Sequence, residues 1–98
     1  MKNYLDKINK LFENRVRLAI MSLLMVEDSI DFNHLKEALD LTDGNLSSHV
    51  SKLEGKGYVD VQKSFVGKKT QTTYKATEAG RKAFQEHLAA LERIIRGG

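Results

Sequence analysis

The spacing of apolar residues changes twice along this chain of 98 residues. Up to Lys56, apolar side chains recur every three or four positions within each segment, which predicts amphipathic helices. Over 58–66 they alternate with polar residues, and 72–76 is rich in Thr and Tyr, so these segments are predicted to be the two strands of a hairpin. Helical spacing returns over 77–96. The predicted fold class is therefore mainly α with a small β-hairpin (α+β).

Two helices are predicted in the N-terminal third. The first covers 4–12, and the second covers 15–26 behind Asn14, a residue type that caps helix N-termini. The second helix is predicted to be central to the core, because its apolar stripe is broad and consists of Val16, Ala19, Ile20, Leu23 and Leu24.

A helix-turn-helix is predicted next. Asp31 ends a strand stub and caps a short helix, and Thr42 caps a further helix that ends near Lys56. A chain of this length has enough residues for one core, so we assign residues 1–98 to a single domain. Within it we place the helix-turn-helix at about 32–56, the hairpin at about 58–76 and a C-terminal helix at about 77–96.

Composition excludes several kinds of chemistry. The chain has no Cys, which excludes disulfides and thiolate sites and suits a reducing cytoplasm. Its longest apolar stretch, 18–26, is far shorter than the about 20 residues of a membrane helix, so no membrane contact is expected. His34, His49 and His87 lack metal-ligand spacing, and no phosphate loop or nucleophile elbow occurs. We therefore predict no metal, no cofactor and no enzymatic activity.

Positive charge is concentrated in the second part of the chain. Residues 1–43 contain six Lys or Arg and eight Asp or Glu, a net charge of −2. Residues 44–82 contain eight and three, a net charge of +5. This asymmetry is typical of a face that binds a polyanion, and a solvated basic surface is the alternative.

The helix predicted at 42–56 has residue types that suit the major groove of DNA. Leu46, Val50 and Leu53 are spaced to face the core, and the opposite arc is rich in Ser and Asn. Short polar side chains reach base edges, and a first-turn glycine lets a phosphate approach the backbone. A solvated surface helix would carry more Glu, Lys and Ala. The predicted DNA-binding residues are Thr42, Gly44, Asn45, Ser47, Ser48, Ser51 and Lys52.

Four segments together resemble a known family. They are 14–20 (NRVRLAI), 32–36 (FNHLK), 41–50 (LTDGNLSSHV) and 74–81 (YKATEAGR). The chain resembles short winged-helix regulators of the MarR/ArsR-like group over nearly its whole length. This resemblance implies a winged helix-turn-helix, with the hairpin as the wing, and a sequence-specific double-stranded-DNA-binding transcription regulator, most often a repressor. It also suggests that Arg15 or Arg17 reaches a phosphate, and the favoured alternative is a plain surface position or an intramolecular ion pair.

The predicted wing supplies a second group of candidate DNA contacts. Lys63, Lys68 and Lys69 are expected to bind phosphates, and Thr70 and Gln71 to reach a sugar or the minor-groove edge. These contacts should anchor the protein on DNA more than they specify a sequence. The alternative is a hairpin tip that its lysines keep soluble.

The last helix carries a heptad-like apolar seam that predicts a homodimer. A compact winged core covers only part of this seam, so the rest is expected to pack on a second copy together with the first helix. Two-fold pairing implies a near-palindromic operator. The alternative is that the first and last helices cover each other within one chain. The predicted interface residues are Tyr4, Leu5, Ile8, Phe12, Phe84, Leu88, Leu91 and Ile95.

A winged-helix module that binds a protein instead of DNA is the rival interpretation. It would have the same fold but would turn the outward residues of 42–56 toward a protein partner. The operator, the target genes and any small-molecule effector do not follow from the sequence.

Overall fold

The computed structural model describes residues 2–97, with side chains from Tyr4 onward. The elements in chain order are α1 (Lys2–Lys7), a 3₁₀ turn (Lys10–Phe12), α2 (Arg15–Val26), β1 (Ile30–Asp31), α3 (Phe32–Leu39), α4 (Asp43–Gly55), β2 (Val59–Val66), β3 (Lys69–Ala76) and α5 (Glu78–Ile95). This order confirms the predicted fold class.

Side-chain caps fix where four helices begin. The side chains of Asn14, Asp31, Thr42 and Thr77 accept hydrogen bonds from backbone N–H groups in the first turns of α2, α3, α4 and α5. Each cap satisfies donors that a helix N-terminus leaves without an intrahelical partner. At the other end of α3, Asp40 adopts a left-handed conformation with φ of 52° and turns the chain toward α4. The predicted starts of these helices are therefore confirmed.

The N-terminal segment is not the single helix predicted for 4–12. α1 ends at Lys7, and Asn9 starts the separate 3₁₀ turn by accepting a hydrogen bond from Leu11 N. The backbone N–H of Asn9 donates to His87 Nδ1 at 3.0 Å, and its side-chain amide donates to the Tyr58 hydroxyl at 3.0 Å. A continuous helix would place Asn9 differently, away from these two partners. The contacts with distant parts of the chain therefore bend the segment at Asn9.

The sheet has the order β1-β3-β2 and is antiparallel throughout. β3 begins at Lys69 and not near residue 72, and Val66 pairs with Lys69 across a two-residue turn. Gly67 has φ of 66° in the first central position of this turn, where a type II′ hairpin requires glycine. The strands predicted at 58–66 and 72–76 leave residues 67–71 as a loop, and this prediction is wrong because strand pairing includes the last three of those residues.

One core joins α2, α3, α4, the base of the sheet and α5. α2 is central, with Ile20, Met21 and Leu24 fully buried. No helix of residues 2–97 is long and apolar enough to cross a membrane. The buried apolar residues are Phe12, Ile20, Met21, Leu24, Ile30, Leu35, Leu46, Val50, Leu53, Val59, Tyr74, Ala76, Phe84 and Ala90.

The start of α5 is fixed against two other elements. Gly80 is buried against the carbonyl of Tyr58, where there is no room for a Cβ. The guanidinium of Arg81 donates to the carbonyls of Leu24 and Met25, at 3.2 and 3.3 Å, at the end of α2. Cationic donors near helix C-termini satisfy carbonyls that have no intrahelical partner. Arg81 therefore has a structural role.

Candidate nucleic-acid interface

α4 is held rigidly on one side. Leu46, Val50 and Leu53 are at most 3% exposed, and they attach the helix to the core along its whole length. Across the helix-turn-helix, Lys36 Nζ lies 2.8 Å from Asp43 Oδ1 and joins α3 to the first turn of α4. A helix supported in this way presents its outer face with little freedom to move.

The outer face of α4 consists of small and polar residues. All seven residues predicted to contact DNA from this helix and its cap are exposed: Thr42, Gly44, Asn45, Ser47, Ser48, Ser51 and Lys52. At 100° per residue, Gly44, Ser48 and Gly55 lie opposite the buried stripe. A Cβ added to Gly44 or Gly55 would meet no atom within 4 Å. The backbone of α4 is therefore accessible along its outermost line.

One flank of α4 is basic. A shallow cavity of about 450 Å³ is lined by Lys10 of the 3₁₀ turn and by Lys52 and Lys56 of α4, together with Asn9, Leu11 and Gly55. Lys52 was identified from the sequence, whereas Lys10 and Lys56 were missed. Lys10 is far from α4 in sequence, and no local pattern indicates that the two meet.

Arg17 and His49 fix the same flank to α2. Arg17 Nε donates to the carbonyl of Leu11 at 2.7 Å, and its Nη1 lies 3.1 Å from His49 Nδ1. Because a guanidinium only donates, His49 Nδ1 is the acceptor in this pair. Burial lowers the pKa of His49, and the charges of Arg17 and Lys52 lower it further. Arg17 therefore bonds groups within the chain, but these partners are a carbonyl and an imidazole and not the carboxylate of an ion pair.

The other flank of α4 faces the hairpin across a cleft of about 600 Å³. Ser47, Ser51 and Glu54 line the helix side of this cleft. The sheet side consists of Val61, Lys63, Thr72 and Tyr74. Burial raises the pKa of Tyr74, and the carboxylate of Glu54 raises it further. This flank thus contains one acidic side chain, Glu54, and one basic side chain, Lys63, whereas the opposite flank contains three lysines.

The hairpin extends beyond this cleft into solvent. The residues predicted to contact DNA from the wing are all exposed: Lys63, Lys68, Lys69, Thr70 and Gln71. Only Gly67 and Lys68 form the turn, whereas Lys69, Thr70 and Gln71 belong to β3. The distal hairpin also exposes Phe65 and Val66.

Comparison with known proteins matches residues 16–95 to the family described as winged helix DNA-binding domain. The chain belongs to this family. This winged-helix chain is 43% identical over 79 residues to an uncharacterized protein of Methanocaldococcus jannaschii, a match that covers 81% of this chain and 86% of that protein.

Solved structures agree with this assignment. A transcriptional regulator homologue from Pyrococcus horikoshii OT3 is 33% identical and has a TM-score of 0.87, with 97% of this chain and 96% of that chain covered. A regulator of the ArsR family is 16% identical with a TM-score of 0.60, covers 100% of this chain and 96% of that chain, and shows the shared fold. The resemblance to winged-helix regulators of the MarR/ArsR-like group is confirmed, since one of these structures is of a transcriptional regulator homologue and the other of a transcriptional regulator.

The winged-helix core contains two of the residues predicted for a dimer interface. Phe12 is 1% exposed and packs on Tyr58 and Phe84, with ring centroids 5.5 and 5.1 Å apart. Phe84 is 2% exposed. Assigning these two side chains to the interface is therefore wrong, because the single chain already buries them.

The other predicted interface residues lie along α1 and α5 with varied exposure. Leu5, Leu88 and Ile95 are 57%, 45% and 83% exposed. Tyr4, Ile8 and Leu91 are half-buried. α1 packs on α5 within the chain, and the two helices enclose a small cavity of about 120 Å³ lined by Tyr4, Lys7, Glu86, Ala89, Ala90 and Arg93. The two helices thus cover each other only in part.

Proposed function

We propose that this winged-helix chain is a sequence-specific regulator that reads the major groove of double-stranded DNA with α4. The observation that carries this proposal is the outer face of α4, where Asn45, Ser48 and Ser51 are exposed on a helix whose opposite side is fully buried. An Asn side chain makes paired hydrogen bonds to adenine, and Ser contacts bases or phosphates. A rigid support holds such short side chains in register with base edges.

Specificity is tested by Asn45→Ala on an operator obtained by selecting bound duplexes from random DNA. Loss of one paired contact should lower the preference for the operator over mixed-sequence DNA by about tenfold to a hundredfold. Asn33→Ala, the same substitution on α3, is the matched control and should keep that preference. An equal loss of affinity on both duplexes with Asn45→Ala would contradict base reading by α4.

The wing and the basic flank are proposed to contact phosphates on either side of α4. Lys68 and Lys69 extend from the hairpin, and Lys10, Lys52 and Lys56 line the opposite flank.

Each phosphate contact contributes about 0.9 to the slope of log affinity against log salt. Both double variants, Lys68→Gln with Lys69→Gln and Lys10→Gln with Lys56→Gln, should therefore lower the slope by about 1.8 on any duplex. Lys82→Gln on α5 is the control. Binding without salt dependence would favour the rival protein-binding module.

We also propose a homodimer that binds a near-palindromic operator. Leu5, Leu88 and Ile95 leave an apolar surface along α1 and α5, which a second copy would cover by two-fold symmetry. Such pairing would place two α4 helices about 34–36 Å apart, or a multiple of that spacing, on one face of the duplex. Ile95→Glu should reduce the mass measured by light scattering to that of one chain. Val26→Glu, at a similarly exposed site on α2, should leave the mass unchanged.

Repression is the proposed outcome of DNA binding, in line with the resemblance to regulators that mostly repress. Run-off transcription from a promoter that overlaps the selected operator should fall as the protein is added. Increased transcription would indicate activation and contradict this part of the proposal.

A further inference from the structure

The distal wing exposes an aromatic ring that the fold does not use. Phe65 is one of the apolar residues that alternate along β2, and it is 78% exposed. Among the described residues, it is the only aromatic side chain in the set of large apolar groups left exposed. The next residue of the strand, Val66, is also exposed.

Strand pairing shows which way the ring faces. Val61, Lys63 and Phe65 alternate along β2, so they share one face of the hairpin. Their partners on β3 are Tyr74, Thr72 and Thr70. Val61, Lys63, Thr72 and Tyr74 line the cleft beside α4. Phe65 therefore continues the face that looks toward α4, and Val66 lies on the opposite face.

The reach of the hairpin beyond the cleft is comparable to the spacing of the grooves of DNA. Phe65 is four residues beyond Val61, which is about 13 Å along a strand. Val61 already lies on the wing side of α4, across the cleft. Half a turn of DNA, the distance from a major groove to the next minor groove, is about 17 Å. With α4 in the major groove, a hairpin of this reach would bring Phe65 toward the adjacent minor groove.

The charge around the ring identifies the kind of partner. Residues 61–72 include Lys63, Lys68 and Lys69 and no Asp or Glu. A basic hairpin with an apolar ring on its inner face complements a polyanion that has apolar walls, and the sugars of the minor groove provide such walls. A hydrophobic protein partner would not require three lysines around the ring.

We propose that Phe65 buries its ring in the minor groove beside the major groove occupied by α4, packed against sugars and base edges. Apolar side chains of minor-groove proteins act in this way and wedge open base steps. This inference rests on the proposed DNA-binding function. It assigns the wing an apolar contact in addition to its phosphate contacts.

The first test compares Phe65→Ala with Val66→Ala on one mixed-sequence duplex of about three turns, roughly 30 base pairs. Removing a buried phenyl ring should weaken binding about tenfold to a hundredfold. The slope of log affinity against log salt should stay unchanged, because no charge is lost. Val66→Ala, on the other face of the same strand, should bind like the unaltered chain.

The second test measures burial of the ring directly. The chain contains no Trp, so Phe65→Trp introduces a single indole. Its emission should shift to shorter wavelength or be quenched when the duplex is added, and it should become protected from acrylamide. In Val66→Trp the same measurements should change little.

Failure of the proposed DNA-binding function can be distinguished from failure of the inference about Phe65. If the unaltered chain binds no duplex, the proposed function fails and this inference fails with it. If the unaltered chain binds with a salt-dependent affinity while Phe65→Ala binds equally well and the Phe65→Trp indole stays exposed, only this inference is overturned. The exposed ring would then be assigned to a protein contact.

Discussion

α4 and α5 begin with the same local pattern but use it differently. α4 starts with Thr42-Asp43-Gly44, and α5 with Thr77-Glu78-Ala79-Gly80, so each has a Thr cap, an acidic first residue and a glycine in its first turn. Gly80 is buried against the carbonyl of Tyr58, whereas a Cβ on Gly44 would meet nothing. The fold requires the glycine of α5 and leaves that of α4 available to a ligand.

This difference separates folding from binding within one small chain. The cap and the acidic residue stabilise a helix start wherever they occur. The role of the glycine depends on the neighbour that packing brings to it. At α5 the neighbour is another part of the same chain, and at α4 we propose that it is DNA. Four comparisons between the two helices test this contrast.

Gly80→Ala should have the largest effect. The added methyl group would overlap the Tyr58 carbonyl oxygen, which also accepts the hydrogen bond from Thr77 N. We expect the free energy of unfolding to fall by about 3 kcal/mol or more in urea denaturation. Gly44→Ala should leave it unchanged or raise it by less than about 1 kcal/mol. Equal stabilities for the two variants would contradict the contrast between the helix starts.

Removing the Thr caps should lower the free energy of unfolding by smaller amounts, and again more at α5 than at α4. Thr77 Oγ1 accepts from Gly80 N at 2.9 Å and donates to Gly57 O at 2.6 Å, whereas Thr42 Oγ1 only accepts from Asn45 N at 3.1 Å. Thr77→Ala should therefore cost about 2 kcal/mol and Thr42→Ala about 1 kcal/mol. Thr77→Ser retains both hydrogen bonds and should restore most of the lost stability in the same urea denaturation series.

Gly44→Ala should weaken DNA binding although it does not destabilise the chain. A methyl group on the outer face of α4 would keep a phosphate away from the N–H groups of its first turn. We expect about a tenfold loss of affinity on mixed-sequence DNA, measured by fluorescence anisotropy. Ala79→Gly, which changes the exposed second residue of α5, is the control and should bind like the unaltered chain. Undiminished affinity would show that the backbone of α4 does not approach the duplex.

The smallest expected difference is in how the free energy of unfolding depends on pH, through His87 of α5 and His49 of α4. Burial lowers the pKa of His87, with the Glu13 carboxylate acting in the opposite direction, and His87 Nδ1 accepts from Asn9 N. The unfolded chain then binds more protons just below pH 6.5, so stability is fully present above that pH and falls as the pH drops. One such group contributes at most about 1.4 kcal/mol per pH unit.

The measurement is urea denaturation between pH 7.5 and 5.5, a range of roughly one unit on each side of an ordinary His pKa. His87→Gln should flatten the dependence on pH more than His49→Gln, because His87 is 2% exposed and His49 is only half-buried. A pH profile that His87→Gln leaves unaltered would show that this histidine does not titrate differently in the two states.

Local sequence predicts most of the fold. The caps at Asn14, Asp31, Thr42 and Thr77 can be predicted directly, because each acts on backbone groups within three residues. The break at Asn9 is not predictable in this way. Its partners, His87 and Tyr58, are 78 and 49 positions away.

The candidate site also contains some residues that local sequence predicts and others that depend on tertiary structure. The residues of α4 follow from helical spacing alone, since its buried stripe is regular. The polar run at 69–71 has no apolar residue to indicate a strand, and only its pairing with β2 places it in the sheet. Lys10 and Lys56 meet through tertiary structure, and Phe65 is exposed because the core ends before the hairpin does.

The contacts of Arg17 constrain how operator affinity can be controlled. This guanidinium joins the start of α2, the 3₁₀ turn and α4, because it bonds both Leu11 and His49. α4 is thus fixed to the body and does not swing independently. In a dimer of this chain, an effector would change affinity by rotating one whole body against the other, which alters the distance between the two α4 helices. Control of this kind would be exerted at the α1 and α5 surfaces and not at the outer face of α4.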